Sequence, residues 1–301
     1  SYSYTYTEAG YPETISLDAE PESGLVSGTV AYTWDKAGRV TSRTFDGDTV
    51  TYSYEYPSNG GLERKIEYPE GLKTVIQYFD QNNRLASVTE GERVTFYEYD
   101  AVGNLVEIRH ANGVDSTFTF DERDRIEKIE HAYLDDAVQG VNIESFTYVF
   151  EEDLIKSINH TGGVDWQPKV ENTIEFQYDL ATNRIDSSSN FGKPIYDNRG
   201  NLIRLPVVEG TIDYTYNALN QLIQVSGPEI DITHRYDPEG NRVEKTINGV
   251  TTRFVHDTLT TYGDVILEHD ETDDLIRSYV YGHSLLNHEA ANGARYTYHG
   301  N

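Results

Sequence analysis

The sequence predicts an all-β fold, built from antiparallel hairpins stacked into a continuous spiralling sheet. Tyrosine and phenylalanine are abundant, with 24 and 10 copies in 301 residues, and both suit a pleated, half-buried surface. Aromatic residues recur at alternate positions, as in Tyr2, Tyr4 and Tyr6, which places their rings on one face of a strand. A short motif also recurs at a regular interval, which is typical of a repeat protein.

The motif consists of an aromatic residue, Asp, two variable residues, a turn-forming residue such as Gly, a polar residue, and then Leu, Ile or Val. Tyr196, Tyr216 and Tyr236 lie 20 residues apart, which gives the period. The repeat residues are Trp34, Asp35 and Gly38; Phe79 and Asp80; Tyr99, Asp100 and Gly103; Phe120 and Asp121; Tyr178 and Asp179; Tyr196, Asp197 and Gly200; Tyr216, followed by Asn217; and Tyr236, Asp237 and Gly240.

Each part of the motif has a structural reason, which the copy at Tyr99 illustrates. Asp100 begins a turn, because its carboxylate accepts hydrogen bonds from backbone N–H groups just ahead. Gly103 supplies the left-handed conformation that ends a type I turn with a G1 bulge. Leu105 begins the return strand, and a second turn, as at Asn248-Gly249, brings the chain back. Each unit is therefore two strands and two turns.

Successive units are expected to stack, because a single hairpin is only marginally stable. Aromatic residues of neighbouring units, including Tyr216, are expected to form a buried ladder of rings. The sequence predicts a single array over residues 1–301, with longer loops near Asp135–Gly140 and Gly162–Lys169. The only stretch that we consider for a helix is His131–Val138.

The composition narrows the functional classes. The net charge is −27, from 51 acidic and 24 basic residues, and a field of that sign repels nucleic acid and anionic membranes. The absence of Cys excludes disulfides, thiolate zinc sites and cysteine nucleophiles. No run approaches the ~20 apolar residues of a membrane helix. We therefore expect no nucleic-acid partner, no membrane span in this segment and no cofactor.

The carboxylates of the repeats favour a structural explanation. General acid–base chemistry needs one pair of carboxylates at a defined separation, whereas every repeat supplies an Asp here. Asp237, in the sequence Asp-Pro-Glu-Gly, stands at a repeat position, where Pro suits the first central place of a type I turn. No catalytic residue and no enzymatic activity are predicted.

Metal and sugar binding are weaker alternatives. Acidic clusters lack the spacing of a calcium loop, so solvated loops are expected, with a weak calcium site as the alternative. Five histidines crowd into the last part of the chain without the spacing of a zinc motif, and no metal site is predicted. Trp34 heads a repeat, whereas Trp166 lies in a longer insert and is the better candidate for carbohydrate contact. The acidic clusters are Asp46–Asp48, Glu151–Asp153 and Asp270–Asp274, and the histidines are His256, His269, His283, His288 and His299.

The motif resembles the YD repeat of RHS proteins, of the B and C subunits of Tc toxins and of teneurins, over essentially the whole chain. Residues 279–301, which include Tyr279-Val280-Tyr281-Gly282, are similar to the approach to the RHS-associated core. The resemblance implies a spiralling sheet that encloses a hollow cocoon. In toxin members the cocoon holds a C-terminal effector, and in teneurins it is part of an extracellular adhesion receptor. The self-cleavage segment of many members is expected beyond Asn301.

Two functions are predicted on these grounds. The first is a non-enzymatic β-shell segment of a secreted bacterial protein, which encapsulates or carries a C-terminal toxin or effector. Its partners are then the rest of a longer polypeptide and the enclosed effector domain. The alternative is an extracellular adhesion or fibre-forming scaffold at the cell surface, with a cell-surface or carbohydrate ligand. Both use the same sheet, so the fold does not separate them.

Gly103→Val is expected to lower the melting temperature, because a β-branched residue resists the positive φ that the turn needs. Ala101→Val, two positions earlier in the same turn, is the matched control, since no positive φ is predicted there. Equal melting of the two variants would contradict the bulge assignment.

Overall fold

A computed structural model describes residues 1–20, 22–135, 138–152, 154–162, 176–179, 181–182, 184–188, 191–260 and 263–299. Within them the chain is almost wholly β, with one short 3-10 helix at Pro69–Gly71 and no α-helix. The predicted all-β class is confirmed. No helix in these ranges has the length and apolar character needed to cross a membrane.

The strands are numbered in chain order. Their bounds are β1 Tyr2–Tyr6, β2 Pro12–Leu17, β3 Gly28–Trp34, β4 Val40–Phe45, β5 Asp48–Glu55, β6 Leu62–Glu67, β7 Thr74–Phe79, β8 Leu85–Glu90, β9 Arg93–Tyr99, β10 Leu105–Arg109, β11 Val114–Phe120, β12 Ile126–Asp135, β13 Val138–Glu151, β14 Leu154–Gly162, β15 Phe176–Asp179, β16 Arg184–Ser188, β17 Ile195–Tyr196, β18 Leu202–Val207, β19 Gly210–Tyr216, β20 Leu222–Ser226, β21 Asp231–Tyr236, β22 Arg242–Ile247, β23 Val250–Asp257, β24 Asp264–Asp270, β25 Leu275–Tyr281, β26 Leu285–Ala290 and β27 Arg295–Thr297.

Strand order follows chain order in each sheet. The described strands form a 14-stranded sheet from β1 to β14, a two-stranded sheet of β15 and β16, and an 11-stranded sheet from β17 to β27. Neighbouring strands pair antiparallel, as where Tyr78 of β7 faces Ser87 of β8. Pairing between sequence neighbours is what stacked hairpins require, so the predicted long antiparallel sheets are confirmed.

The segment between β12 and β13 differs from the prediction. β12 continues to Asp135 and β13 begins at Val138, so residues 138–140 of the expected loop Asp135–Gly140 belong to a strand. The helical alternative is wrong for residues 131–135, which lie in β12. Ile129 and His131 are both buried, and this period of two is that of a strand with one inward face.

The described chain forms two compact units, each assembled from separated parts of the sequence. The first unit comprises Ser1–Asp48 and Lys169–Arg277, and the second comprises Thr49–Pro168 and Ser278–Asn301. Each unit therefore brings early strands together with strands from the second half of the chain. The single array over residues 1–301 stays a prediction.

In the first unit, backbone groups join the segment after β2 to the end of β21. The N–H of Val26 donates to the carbonyl of Tyr236 at 2.8 Å, and the N–H of Tyr236 donates to the carbonyl of Gly24 at 3.0 Å. Gly24 has φ of +68°, and a Cβ there would lie 2.2 Å from Ile223. This close approach therefore requires glycine.

A buried ion cluster makes the second contact between these parts of the first unit. Arg43 on β4 is 4% exposed and Asp237 is fully buried. The guanidinium of Arg43 lies 2.6 Å from Asp237 Oδ2 and 2.9 Å from Glu239 Oε2. The hydroxyl of Tyr32 donates to Glu239, and burial, followed by this hydrogen bond, raises the pKa of Tyr32 to about 12. The cluster thus fixes β3 and β4 to the turn after β21.

The second unit has its own contacts between early and late strands. The hydroxyl of Tyr68 donates to the carbonyl of Tyr279 at 2.6 Å. Glu90, at the end of β8, lies 2.6 Å from Lys73 Nζ and 2.5 Å from Arg295 Nη1. Burial raises the pKa of Glu90, but hydrogen bonds from Arg295 and Lys73 outweigh it and lower the pKa overall.

Arg43→Met is expected to reduce the free energy of unfolding by about 3 kcal/mol, because two carboxylates lose their buried counter-charge. The control is Arg204→Met, which removes an exposed ion pair with Asp213 and should cost less than about 1 kcal/mol. Urea unfolding measures both. A cost for Arg43→Met equal to that of the control would show that the buried cluster contributes no specific stability.

Candidate functional site

The repeat turn is the feature that the sequence singles out, and its backbone is closed in the same way in eight copies within the described residues. At Asp100 the N–H donates to the carbonyl of Asn104 at 2.9 Å, and the N–H of Gly103 donates to the carbonyl of Asp100 at 3.2 Å. These two bonds hold the ends of β9 and β10 together. Equivalent pairs of bonds begin at Asp35, Asp80, Asp121, Asp197, Asn217, Asp237 and Asp270.

The Asp side chain completes the turn. Oδ1 of Asp100 accepts hydrogen bonds from the N–H groups of Val102 at 3.0 Å, Gly103 at 2.7 Å and Asn104 at 2.8 Å. These backbone donors point into the turn, and the carboxylate accepts hydrogen bonds from them there. Oδ1 accepts from the residues two and four ahead in the copies at Asp35, Asp80, Asp121, Asp197, Asn217, Asp237 and Asp270.

The same hydrogen bonds keep the turn carboxylates ionised. A side-chain hydrogen bond from Arg125 is the main cause that lowers the pKa of Asp121 to about 2. Backbone N–H groups are the main cause of the lowered pKa values of Asp35 and Asp179. A carboxyl group that holds no proton near neutral pH is not poised as a general acid.

The residue three after Asp has left-handed backbone geometry. Its φ is +79° at Gly38, +105° at Gly103, +94° at Gly200 and +92° at Gly240. The register of the sheet also shifts by one residue at the repeat aromatic, for example between Arg235 and Tyr236. Asn and Asp tolerate this geometry better than other side chains, and they occupy it with φ between +57° and +73° at Asn83, Asp124, Asn220 and Asp273.

The residue four after Asp has a role that the sequence reasoning missed. Asn201 donates through Nδ2 to Asp197 Oδ2 at 2.9 Å and to Oδ1 of Asn220 at 2.5 Å. Asn220 is the left-handed residue of the next turn, so one amide joins two copies. The signal was present in the motif, because this position holds a hydrogen-bonding side chain in each copy: Arg39, Arg84, Asn104, Arg125, Asn201, Gln221 and Asn241.

Three repeat tyrosines, Tyr99, Tyr196 and Tyr236, donate hydrogen bonds to the preceding copy, whereas Trp34 stacks on another ring. The hydroxyl of Tyr99 donates to the carbonyl of Leu85 at 2.8 Å, and that of Tyr236 donates to the carbonyl of Leu222 at 2.7 Å. In these two cases the acceptor is the first residue of the previous return strand. The expected burial of the ring at Tyr216 is wrong, since it is only partly buried.

Guanidinium groups cover several of these rings. The Cζ of Arg84 lies 4.8 Å from the ring centroid of Tyr99, and that of Arg125 lies 4.0 Å from the ring centroid of Phe150. Both arginines also bind the Asp of their own turn. Arg84 therefore serves its own turn and the aromatic of the following copy, and Arg125 serves its own turn and Phe150, which is not among the repeat residues named above.

The Asp-Pro sequence at Asp237 forms a repeat turn. Its carboxylate accepts from the N–H groups of Glu239 and Asn241, from Asn241 Nδ2 and from Arg43. The acidic cluster Asp270–Asp274, expected as a solvated loop, is also a repeat turn, in which Asp270 accepts from the N–H groups at 272 and 274. The missed signal is His269, which stands at the aromatic position.

The remaining candidate sites are the metal-binding groups and the two tryptophans. Among the residues that the structure describes, no group of three or more His, Asp or Glu side chains is arranged to hold a metal ion. Trp34 stacks on Tyr11, with ring centroids 4.9 Å apart, and its Nε1 donates to the carbonyl of Pro12. Trp166 and Asp153 lie outside the described residues.

Asn217→Ala is expected to cost about 1–2 kcal/mol of unfolding free energy, because two backbone N–H groups of the turn lose their acceptor. Asn217→Asp restores the carboxylate found in other copies and should change stability by less than about 0.5 kcal/mol. Urea unfolding of both variants tests the turn. An Ala variant as stable as the Asp variant would exclude a role for the side-chain acceptor.

Comparisons with known proteins show similar segments. No family model matches the chain. It is 26% identical over 303 residues to the tRNA3(Ser)-specific nuclease WapA of Bacillus spizizenii, and the match covers 83% of this chain and 12% of that protein. It is 26% identical over 284 residues to the tRNA nuclease WapA of Bacillus subtilis, covering 77% of this chain and 11% of that protein. The chain thus spans about one-eighth of the length of these relatives.

Similar solved structures come from Tc toxins. A structure of the Tc holotoxin pore of Photorhabdus luminescens matches with a TM-score of 0.49 and 13% identity, over 93% of this chain and 16% of that chain. The crystal structure of TcdB2-TccC3-TEV matches with a TM-score of 0.46 and 14% identity, over 93% of this chain and 17% of that chain.

Proposed function

We propose that this chain is a wall segment of a YD/RHS-type β-shell, within a longer secreted bacterial toxin polypeptide. The observation that carries the proposal is the turn that links one copy to the next. In it, Asn201 joins its own turn to Asn220 of the following turn. A unit that binds its successor by the same groups extends a sheet copy by copy, which is the construction of a wall.

The relatives support a place within a longer toxin. The similarity covers most of this chain but only 12% and 11% of two proteins that are named as tRNA nucleases. A short share of a long protein fits a repeat segment, with the toxic activity elsewhere in the polypeptide. The segment itself is proposed to be non-enzymatic, and its partners are the rest of the polypeptide and an enclosed effector domain.

The engagement of the turn carboxylates supports the non-enzymatic role. Asp237 has its oxygens occupied by the turn and by Arg43, and it is fully buried. Asp121 keeps a pKa of about 2 and is tied to Arg125. Carboxylates in such positions stabilise turns and do not present a free oxygen to a substrate.

The charge of the chain supports a carrier role at the cell surface or outside the cell. A net charge of −27 over 301 residues keeps a large sheet surface soluble and attracts basic polypeptide. A wall of this charge repels nucleic acid, so the segment suits a container better than a nuclease active site.

An electron-microscopy map of the intact parent polypeptide tests the proposal. The expected result is a hollow shell with separate density inside, and with the repeats of this chain in the wall. A solid rod or a filament would contradict encapsulation and favour the adhesion or fibre scaffold. A tRNA-cleavage assay with this chain alone should show no product, and cleavage that persists through purification would contradict the non-enzymatic role.

A further inference from the structure

Two buried imidazoles, a buried serine and the half-buried ring of His299 form a cluster within the second unit. His131 and Ser116 are 1% exposed, and His110 is 6% exposed. The Oγ of Ser116 lies 3.1 Å from His110 Nε2 and 2.7 Å from His131 Nδ1. The ring of His299 packs edge-on against His110, with centroids 4.6 Å apart, and lies 6.0 Å from His131.

The strands explain why these groups meet. His110 follows β10 at the start of the turn into β11, and Ser116 on β11 faces His131 on β12 in the register of the sheet. His299 follows β27, which pairs with β26. The cluster therefore joins β10–β12 to the chain after β27, between parts of the sequence that are 189 and 168 residues apart.

The surroundings of the cluster favour the neutral form of its imidazole rings. His110 Nδ1 and His299 Nδ1 are buried and have no hydrogen-bond partner among the described residues. A proton on either atom would create a buried N–H donor with no acceptor and a positive charge beside other imidazoles. Burial, followed by His299 and His131, lowers the pKa of His110 to about 4.

The surrounding groups offer little compensation for a positive charge. Asn112 Nδ2, on the turn after β10, lies 3.4 Å from His299 Nε2. Glu144 on β13 is the carboxylate that acts on His299, and it also lies 3.3 Å from His160. Burial is the main cause that lowers the pKa of His299, His131 adds to it, and Glu144 opposes it.

We propose that this imidazole cluster is an acid-sensitive latch, which holds the chain after β27 against β10–β12 at neutral pH and releases His299 on acidification. The neighbouring ionic contact behaves differently. Hydrogen bonds from Arg295 and Lys73 lower the pKa of Glu90 overall, so this carboxylate stays charged in mild acid. Release is thus confined to the end of the segment that carries His299, while Arg295 stays bound.

The pH range of the latch follows from the sign of the shift. A histidine with a lowered pKa contributes stability that is complete above the ordinary pKa of 6.5 and is lost as the pH falls towards about 4. If opening of the latch restores the ordinary pKa of 6.5 to His110, a change from pH 7.5 to pH 5.0 reduces the ratio of closed to open latch by about 30-fold. The turn carboxylates lose their stabilising effect only at a lower pH, since the pKa of Asp121 is about 2.

Hydrogen–deuterium exchange of residues 298 and 299 in the full chain at pH 7.5 and pH 5.0, corrected for intrinsic rates, tests the latch, because the N–H of Tyr298 donates to the carbonyl of Leu286 at 2.9 Å. In the unmodified chain, protection should fall by about 30-fold at pH 5.0. His110→Phe keeps an aromatic ring against His299 but takes no proton, so its protection should fall by less than about 3-fold. His269→Gln, in the first unit, is the control and should behave as the unmodified chain.

Equal protection of the unmodified chain at the two pH values would overturn the latch, as would an equal loss in His110→Phe. If His110→Phe proves unprotected even at pH 7.5, NMR titration of the histidine rings in the unmodified chain decides. A His110 ring that stays neutral to about pH 4 supports the proposal, and a ring that titrates near its ordinary pKa of 6.5 overturns it.

Discussion

The backbone hydrogen bonds that close the repeat turns are the interaction on which the rest of this structure depends. They fix where the left-handed residue falls, and that residue sets the bulge at the end of the strand. The bulge aims the aromatic of the same copy, so that Tyr236 reaches the carbonyl of Leu222. The turn also presents Asn201 to Asn220 of the next copy. A local bond thus determines how one copy meets its neighbours on both sides.

Copies without the carboxylate show which part of the turn is indispensable. Thr7 accepts from the N–H of Tyr11 through its hydroxyl, at 3.1 Å, and Ala290 has no side-chain acceptor at all. Both positions still close the turn through backbone bonds, to Tyr11 and Ala294 respectively. The backbone bonds define the turn, and the carboxylate adds ionised acceptors that strengthen it. This is why the motif degenerates in places without loss of the sheet.

Sequence reasoning succeeded where the determinant is local and failed where it depends on register or on distant strands. The turn at Asp100 and the left-handed Gly103 follow from residue types at fixed spacing, because a turn uses only its own atoms. The anchoring of Tyr99 on Leu85 depends on which residues two strands place side by side, so period two alone suggested ring stacking instead. Arg43 and Asp237 are 194 residues apart in the sequence, and nothing in the motif indicates that they are in contact. The imidazole cluster is hidden for the same reason, since His110, His131 and His299 belong to three separate copies.

The comparison of Asp197 with Asp237 shows how a repeat acquires individual roles without changing its motif. Both carboxylates accept from the N–H groups two and four residues ahead and from the Asn side chain at the fourth position. Only Asp237 is fully buried and bound by Arg43, a residue outside the motif. Buried charges are weak stabilisers on balance, but they tolerate few other arrangements. The docking of β4 on this turn is therefore specified by one arginine, and the same turn without such a partner only connects neighbouring copies.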